Sequence, residues 1–384
     1  MFDADEVKRI PEWLGKVFLN LEYDVIMDIV RRLSLAKEIT RSADWQLYRL
    51  TQLQTYERDY KKLIQTFLGS TEKELNQMIR DMLEKSYARD KRLYEAQGIP
   101  FVPLEENDQL LQLMDAVYRQ TVEASENITR TQIIVIRGPT KLTSETPVAY
   151  FQRKLNEATV EISTGVFDYN AAIKKTVSEL ASSGIRVVEG DKGRRWSIDV
   201  AARRAIMTGL AQLTGQVAQI NAEKLGTDYF EVSAHPTARP SHAVWQGRVY
   251  SSAQLKTICG LGTGPGLCGW NCYHHYDAFI PGISKRKYTD EDLRDMLNKA
   301  QTVKEYGGKR YTMYEATQAM RAMERAMRRQ ELDIAALNAA GEDSNPVKIR
   351  RRETYKRYKD FAETFGLQEE IQRVTLGREV WKGN

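Results

Sequence analysis

Apolar residues recur at steps of three and four along much of this chain, and this spacing restricts what the chain can fold into. In the first hundred residues the members of the stripe are Leu14, Phe18, Leu21, Val25 and Ile29. A second and more regular stripe runs from Ile206 to Ile220. Residues at these steps lie on one face of an α-helix, and that face must be buried against a neighbour. The sequence therefore predicts a mainly α-helical protein.

Glycines, prolines and capping residues divide the helical pattern. A second helix is predicted from Asp44 to about Phe67, with Gly69 as its end. The Thr-x-x-Glu sequence at residues 71–74 has the form of a capping box and predicts the start of a third helix there. Two prolines within residues 98–103 predict a break, and an amphipathic helix follows at about 105–126.

The second half of the chain contains strand signals among further helices. Residues 185–189 and 195–198, joined by a turn around 190–193, predict a β-hairpin, and Tyr229 to Val232 predicts a short strand. A helix entry is predicted at 167–170. Gly209 and Gly215 in the stripe from 206 to 220 predict a close approach of another element, and Gly226 predicts the end of that helix. Later helices are predicted at about 290–298, 312–340 and 346–365.

The length of 384 residues exceeds the usual size of one hydrophobic core, so more than one folding unit is expected. The predicted units are an N-terminal helical arm (1–98), a helix and linker (99–145), a central α+β domain (146–283) and a C-terminal basic helical region (284–384). The predicted fold class is thus mainly α with a small α+β central domain, a long N-terminal helical arm and C-terminal helices.

The composition excludes several classes of protein. Hydrophobic residues make up 42% and charged residues 28% of the chain, which fits a soluble globular protein. No apolar stretch approaches the roughly 18 residues that span a bilayer, so no membrane association is expected. The acidic N-terminus is unlike a secretory signal, and three cysteines cannot pair off internally, so we expect reducing surroundings.

The net charge of +5 is unevenly distributed. Residues 1–129 carry 18 basic and 23 acidic groups, whereas residues 283–384 carry 22 and 17. Since residues 1–282 balance at 35 of each, the whole excess lies in the C-terminal region. Such asymmetry favours an anionic partner for that region, with nucleic acid as the first candidate, although ordinary surface charge explains it equally well.

The densest basic cluster lies in the last predicted helix and is interleaved with tyrosines. On a helix, Arg352, Lys356 and Lys359 share one face, which suits contact with phosphates. A solvated helix face is the alternative. The candidate DNA contacts are Arg350, Arg351, Arg352, Lys356, Arg357 and Lys359.

Methionines recur every seven residues in the helix before it, at Met313, Met320 and Met327. This spacing favours a helix–helix seam over an adaptable surface for a partner.

All the histidines and cysteines of the chain lie within 41 consecutive residues, which are also rich in glycine. These residues are His235, His242, Cys259, Cys268, Cys272, His274 and His275. No Gly-rich phosphate loop or nucleophile elbow accompanies them. This irregular window is therefore where any chemistry of the chain is expected.

Three interpretations of the window stay open on the residues alone. Cys268, Cys272 and His274, completed by Cys259 or His242, have ligand types that suit zinc, although the Cys-x-x-Cys knuckle is absent. The second interpretation is a Cys/His pair for nucleophilic catalysis. With the metal site, it makes a metal- or cysteine-dependent hydrolase that uses residues 235–275 the alternative function. The third, which we favour, is architectural: the polar side chains satisfy the backbone of an irregular loop, with no cofactor and no catalytic residue.

Two blocks in this window carry a resemblance to a known family. They read ARPSHAVWQGRVYS at residues 238–251 and GTGPGLCGWNCYH at 262–274. Together with residues 43–50, 167–173 and 197–204, in the same order, they resemble the phage minor capsid protein 2 family, which is related to the Mu F-like head morphogenesis proteins. The matching motif residues are His235, Arg239, His242, Trp245, Gln246, Gly247, Tyr250, Cys268, Trp270, Asn271, Cys272 and His274.

The resemblance implies a non-enzymatic virion protein that is present in few copies inside the phage head, near the portal. It implies the portal protein or the major capsid protein as partners, with packaged double-stranded DNA as a further partner of the basic C-terminal region. The implied roles are head assembly, DNA packaging or DNA ejection. One difference stands out: members usually have arginine at the position of Tyr273, where His275 is the nearest substitute.

Overall fold

The computed structural model describes residues 4–35, 42–137, 141–164, 175–177, 179–180, 183–189, 193–270 and 272–375. This part of the chain is mainly α-helical with small antiparallel sheets, which confirms the predicted fold class. The predicted helix entry at 167–170 and the turn at 190–192 lie outside the described residues. The helices are α1 (Ala4–Leu35), α2 (Ser42–Ala88), α3 (Lys91–Gln97), α4 (Asp108–Arg130), α5 (Pro147–Thr164), α6 (Ile198–Lys224), α7 (Pro240–Ala243), α8 (Ser252–Thr257), α9 (Asp290–Gln301), α10 (Met313–Ala339) and α11 (Asn345–Phe365).

The strands form two sheets and a separate hairpin. They are β1 (Gln132–Arg137), β2 (Leu142–Glu145), β3 (Ile185–Glu189), β4 (Arg194–Ser197), β5 (Tyr229–Val232), β6 (Val249–Ser251), β7 (Tyr276–Phe279), β8 (Val303–Tyr306) and β9 (Lys309–Thr312). The first sheet has the order β2-β1-β3-β4, the second β6-β5-β7, and β8 pairs with β9; every pair is antiparallel. The predicted β3–β4 hairpin and the predicted strand at 229–232 are confirmed.

The predicted end of a helix at Gly69 is wrong. The helix α2 runs without interruption for 47 residues through this glycine. Thr71 does not cap a new helix, because its hydroxyl donates to the carbonyl oxygen of Phe67 one turn earlier at 2.8 Å. A glycine in a helix costs only about 1 kcal/mol relative to alanine, which the packing of a long apolar face readily offsets.

The largest core joins the N-terminal helices to the middle of the chain. α1 packs along α6, and α2, α4, α5 and the first sheet close around them. Phe18 and Ile206, both fully buried, belong to this core. The apolar stripes of α1 and α6 thus face each other, as ridges of two amphipathic helices do. The division of the chain into four units stays a prediction.

Two smaller cores complete the molecule. One surrounds the second sheet and contains the C-terminal end of α6, with Ala218 and Ala222, and the buried Cys259 and Cys272. The other joins the first half of α10 to α11, where Met320 and Met327 are buried. The predicted methionine seam between helices is confirmed for Met320 and Met327, whereas Met313 is half-buried and does not belong to this core.

Close approach of α6 to its neighbours depends on two glycines. A Cβ atom on Gly215 would lie 2.8 Å from the hydroxyl oxygen of Tyr276 in β7, and one on Gly209 would lie 3.1 Å from the hydroxyl of Thr121 in α4. The close packing predicted for these glycines is therefore confirmed. It sets α6 directly against the second sheet, next to the His/Cys window. In the part of the chain that is described, no helix is long and apolar enough to span a bilayer.

Candidate functional site

The His/Cys window folds back on itself because β5 and β7 are neighbours in the second sheet. Val232 at the end of β5 pairs with Tyr276 at the start of β7. Beyond the strands, the backbone N–H of Ser233 donates to the carbonyl of His275 at 2.9 Å, and the N–H of His275 donates to the hydroxyl of Ser233 at 3.0 Å. The residues that precede β7 are thereby held beside those that follow β5.

A short helix supplies the third side of the site. α7 begins at Pro240, whose fixed φ suits the first turn of a helix, and it places His242 on its buried side. The backbone N–H of Gln246 donates to the carbonyl of His242 at 3.2 Å, so the chain stays compact after the helix ends. Gly247 then turns with a φ of +68°, in a place where a Cβ would lie 2.3 Å from Leu293.

Three ligand-type atoms meet in this site. The Nδ1 atoms of His242 and His274 are 3.4 Å apart, and the Sγ of Cys272 lies 3.7 Å from the first and 3.6 Å from the second. All three residues are buried. Within the described residues, they are the one group of His, Cys, Asp or Glu side chains close enough to hold a metal ion together.

The other ring nitrogen of each histidine is fixed by an oxygen acceptor. The Nε2 of His242 lies 2.8 Å from the carbonyl oxygen of Pro265, and the Nε2 of His274 lies 3.0 Å from the side-chain oxygen of Gln246. That same Gln246 oxygen accepts from the backbone N–H of His235, so its identity as an acceptor is settled. Each Nε2 therefore carries a hydrogen, and in the neutral ring each Nδ1 presents a lone pair to the centre of the site.

Aromatic rings enclose this polar centre. Trp245 packs against the rings of His242 and His274 with centroid distances of 4.5 and 4.9 Å, and His235 stacks on His274 at 4.5 Å. The hydroxyl of Tyr250 donates to the carbonyl of Trp245 at 2.9 Å and fixes the tryptophan in place. The Trp245 ring therefore covers the side of the site that faces away from the cavity described below.

Burial shifts the acid–base properties of the three groups. It lowers the pKa of His242, against an opposing effect of the Pro265 carbonyl, and it lowers the pKa of His274 well below the ordinary value, with the neighbouring histidines adding to the shift. Burial also raises the pKa of the Cys272 thiol. At neutral pH these groups are by themselves two neutral imidazoles and a neutral thiol.

Of the candidate ligands that spacing suggested, the structure brings together Cys272, His274 and His242. Cys259 is buried in the apolar core of the second sheet, where burial raises its pKa to about 12. Cys268 adopts a left-handed conformation with φ of +60°, and its sulfur lies 3.7 Å from the backbone oxygen of His274. Neither belongs to the cluster around Cys272, which is completed by His242, the alternative to Cys259.

Other motif residues hold the backbone of the loop. Arg239 donates to the carbonyl of Trp270 at 2.7 Å, although the ring of Trp270 itself is exposed. Asn271 lies outside the described residues. Tyr273 packs its ring edge to face with His235 at a centroid distance of 6.3 Å. His275 is buried 3.9 Å from the carboxylate of Asp277, so it is enclosed in the core.

A cavity of 430 Å³ separates the loop from α10. His235, Arg239, His242 and His274 line one side of it. The opposite side carries Arg321, Arg325 and Glu324. The cavity is thus predominantly basic.

The predicted basic face of α11 lies on the surface. Arg350, Arg352, Lys356, Arg357 and Lys359 are exposed, whereas Arg351 is half-buried and forms an ion pair with Glu331 of α10. Arg352, Lys356 and Lys359 follow one another at steps of four and three along this helix, so their charges form a stripe.

Sequence reasoning found most of the side chains but not which of them contact one another. The contribution of Gln246, which orients His274 and His235, and that of the Pro265 carbonyl, which orients His242, were missed. The spacing of glutamine and proline in a loop carries no signal for such contacts. A backbone carbonyl has no signature in the sequence at all.

Comparison with known proteins gives a consistent result. The model of the family described as "Phage minor capsid protein 2" matches residues 3–362. A relative described as "Structural protein", from Lactococcus phage LL-H, is 22% identical over 263 residues, which are 65% of this chain and 69% of the relative. No solved structure shows significant similarity to the chain.

Proposed function

Because the chain belongs to the phage minor capsid protein 2 family and is a structural protein of a bacteriophage particle, we propose that it acts inside the head, beside the portal. There it contacts the portal protein or the inner face of the major capsid protein. Its role in this position is to assist head assembly and the entry or exit of DNA.

The observation that carries the proposal is the extent of the family match. It covers residues 3–362, and so includes α1 and α2, the His/Cys window and nearly all of α11. The function therefore belongs to the whole helical body and is not confined to one loop. Packed helices keep fixed crossing angles and spacings, which suits a protein that positions other virion components.

The exposed charge of α11 supports contact with DNA. Arg352, Lys356 and Lys359 form an exposed stripe, and the whole positive excess of the chain lies beyond residue 282. Phosphates attract such a stripe regardless of base sequence, which is what packaged DNA of any sequence requires. Glu353 and Asp360 on the same helix reduce the local charge, so the contact is expected to be weak.

The site geometry gives less support to a cysteine-dependent hydrolase. A nucleophilic cysteine is exposed to substrate and has a lowered pKa. Cys272 is 4% exposed and burial raises the pKa of its thiol. We therefore propose that Cys272 does not act as a nucleophile and that the motif holds the loop together.

Crosslinking within assembled heads tests the location. Heads that contain the chain are treated with a lysine-reactive crosslinker, and the linked peptides are identified by mass spectrometry. We expect links to the portal protein and to the inner face of the shell. Heads assembled without the chain serve as the control. Links confined to the outer shell or to the tail would contradict the proposal.

Filter binding tests the contact with DNA. Changing Arg352, Lys356 and Lys359 together to alanine is expected to reduce retention of double-stranded DNA at low salt. If all three contact phosphates, the slope of log affinity against log salt becomes less steep by about 2.7.

The matched control changes three exposed basic residues of α2, Arg58, Lys61 and Lys62, to alanine. This variant has the same net charge as the α11 variant. Equal loss of retention in both would mean that net charge alone attracts DNA. Unchanged retention in the α11 variant would refute the assignment of the stripe.

A further inference from the structure

We propose that His242, Cys272 and His274 bind one divalent transition-metal ion, preferentially zinc, through Nδ1, Sγ and Nδ1. The three donors come from two separate parts of the loop, α7 and the segment that precedes β7. The inference is independent of where the protein lies in the particle.

The distances between the donor atoms match those of a tetrahedral zinc site. Zinc bonds of about 2.3 Å to sulfur and about 2.05 Å to nitrogen, at tetrahedral angles, separate two nitrogens by about 3.4 Å and a sulfur from a nitrogen by about 3.6 Å. The separations here are 3.4 Å between the nitrogens, and 3.6 and 3.7 Å from sulfur to nitrogen. One point can therefore lie at bonding distance from all three atoms.

Hydrogen bonds alone do not satisfy this arrangement. Since Pro265 and Gln246 fix the hydrogens of both rings on Nε2, the two Nδ1 atoms are both acceptors. The thiol of Cys272 has a single hydrogen, which can be donated to only one of the two Nδ1 atoms. The lone pair of the second Nδ1 then has no hydrogen from this thiol in a buried site. A metal ion accepts both lone pairs, and the thiol loses its proton to become a thiolate ligand.

The environment has the features that support metal ligands. Each ligating imidazole donates its other N–H to an oxygen, which orients the ring and strengthens it as a ligand. Trp245, packed against both rings, excludes water from this side. The combination of imidazole and thiolate favours zinc over magnesium or calcium, which prefer oxygen ligands.

The fourth position is filled by water in our proposal. In the described part of the chain, no fourth His, Cys, Asp or Glu donor joins the group. His242 and His274 both line the 430 Å³ cavity, which is a source of water or of a small anion. Three protein ligands with one exchangeable water are the arrangement of catalytic zinc sites, whereas structural zinc sites usually have four protein ligands. Here the three ligands would join two parts of the loop and leave one position open to the cavity.

The bound ion would tie together a segment that has little regular structure. Residues 258–270 and 272–275 contain turns, bends and irregular backbone but no helix or strand. A metal that joins α7 to Cys272 and His274 closes this segment in place of a hydrogen-bonded ladder. The expected consequence is that the loop, and not the helical body, loses order when the ion is removed.

Metal analysis of the full chain, purified with a tag that contains no histidine and without chelators, tests the proposal. We expect about one zinc per chain. After chelation and reconstitution with Co²⁺ alone, we expect the charge-transfer absorption of a cobalt–thiolate bond. Cys272→Ser is expected to lose that absorption, and His242→Gln and His274→Gln to weaken metal binding at least tenfold.

Cys259→Ala and Cys268→Ala are the matched controls, since both remove a buried or partly buried thiol from the same window. Each is expected to keep the metal and the cobalt–thiolate absorption. If the Cys272 variant does not fold, the wild type still decides, because zinc is expected to raise the thermal midpoint of the chelated protein. A wild type that takes up neither zinc nor cobalt, or a Cys272→Ser variant that keeps the cobalt–thiolate absorption, refutes the proposal.

Discussion

Two glycines in helices have opposite surroundings, and replacing each by alanine tests the packing directly. Gly69 lies exposed within α2, and a Cβ added there would meet no atom within 4 Å. Gly215 lies within α6, where a Cβ would be 2.8 Å from the hydroxyl oxygen of Tyr276 and 3.3 Å from its ring. We expect Gly69→Ala to stabilise the protein and Gly215→Ala to destabilise it.

The two variants share one energetic contribution and differ in another. In both, alanine favours the helix over glycine by about 0.5–1 kcal/mol. Only Gly215→Ala forces atoms into a filled space, which costs about 1–3 kcal/mol. Tyr276 cannot easily yield, because it is 2% exposed and packs edge to face against Phe230 at 5.4 Å. The free energies of unfolding of the two variants should therefore differ by about 1–3 kcal/mol.

Urea unfolding followed by circular dichroism measures this difference. Combining Gly215→Ala with Tyr276→Phe removes the oxygen at 2.8 Å, so the double variant is expected to lose less stability than the sum of the single changes. The reasoning fails if Gly69→Ala destabilises the protein by more than about 1 kcal/mol, the cost expected of a helix that breaks at this glycine. It also fails if the two variants are equally stable.

Two further predictions concern buried charges. Burial and the nearby Asp277 raise the pKa of Asp90 from 3.8 to about 7. The folded state therefore binds the proton of this carboxyl more tightly than the unfolded state does. Ionising the carboxyl costs folding stability as pH rises from about 4 to 7. Asp90→Asn should remove a loss on the order of 2–4 kcal/mol, seen as a difference from wild type in urea midpoints across that range. Arg328 lies 3.2 Å from the buried carboxylate of Asp199, so Arg328→Ala should cost about 2–4 kcal/mol, whereas Arg58→Ala, which removes an exposed ion pair, should cost under about 1 kcal/mol. Equal costs for the two arginine variants would contradict the assignment.

The helices were predictable where one face alone is apolar. The stripe from Ile206 to Ile220 located α6, and the Tyr229–Val232 strand was predicted to the residue. The error at Gly69 has a physical reason: a glycine ends a helix only if the backbone leaves the helical conformation, and the apolar contacts of α2 on both sides keep it helical. Glycine and capping residues are local signals for the end of a helix, and tertiary packing can override them.

The candidate site was predictable in its residues but not in its geometry. The clustering of histidines and cysteines located the window, because those side chains are otherwise rare in the chain. Which of them meet depends on the pairing of β5 with β7 and on the orientation of α7, and no spacing rule contains that information. Cys268 fits a ligand spacing with Cys272 and His274, yet its left-handed backbone places its sulfur near a carbonyl instead.

The helix α10 belongs to two cores at once. Its first half packs on α11 through Met320 and Met327, and its second half, with Leu332 and Ala336, lies in the large core that contains α1. Its 27 residues form a continuous rod of roughly 40 Å. A displacement of α11 would therefore act on the same helix that packs against the N-terminal helices, so the two ends of the molecule are coupled through α10.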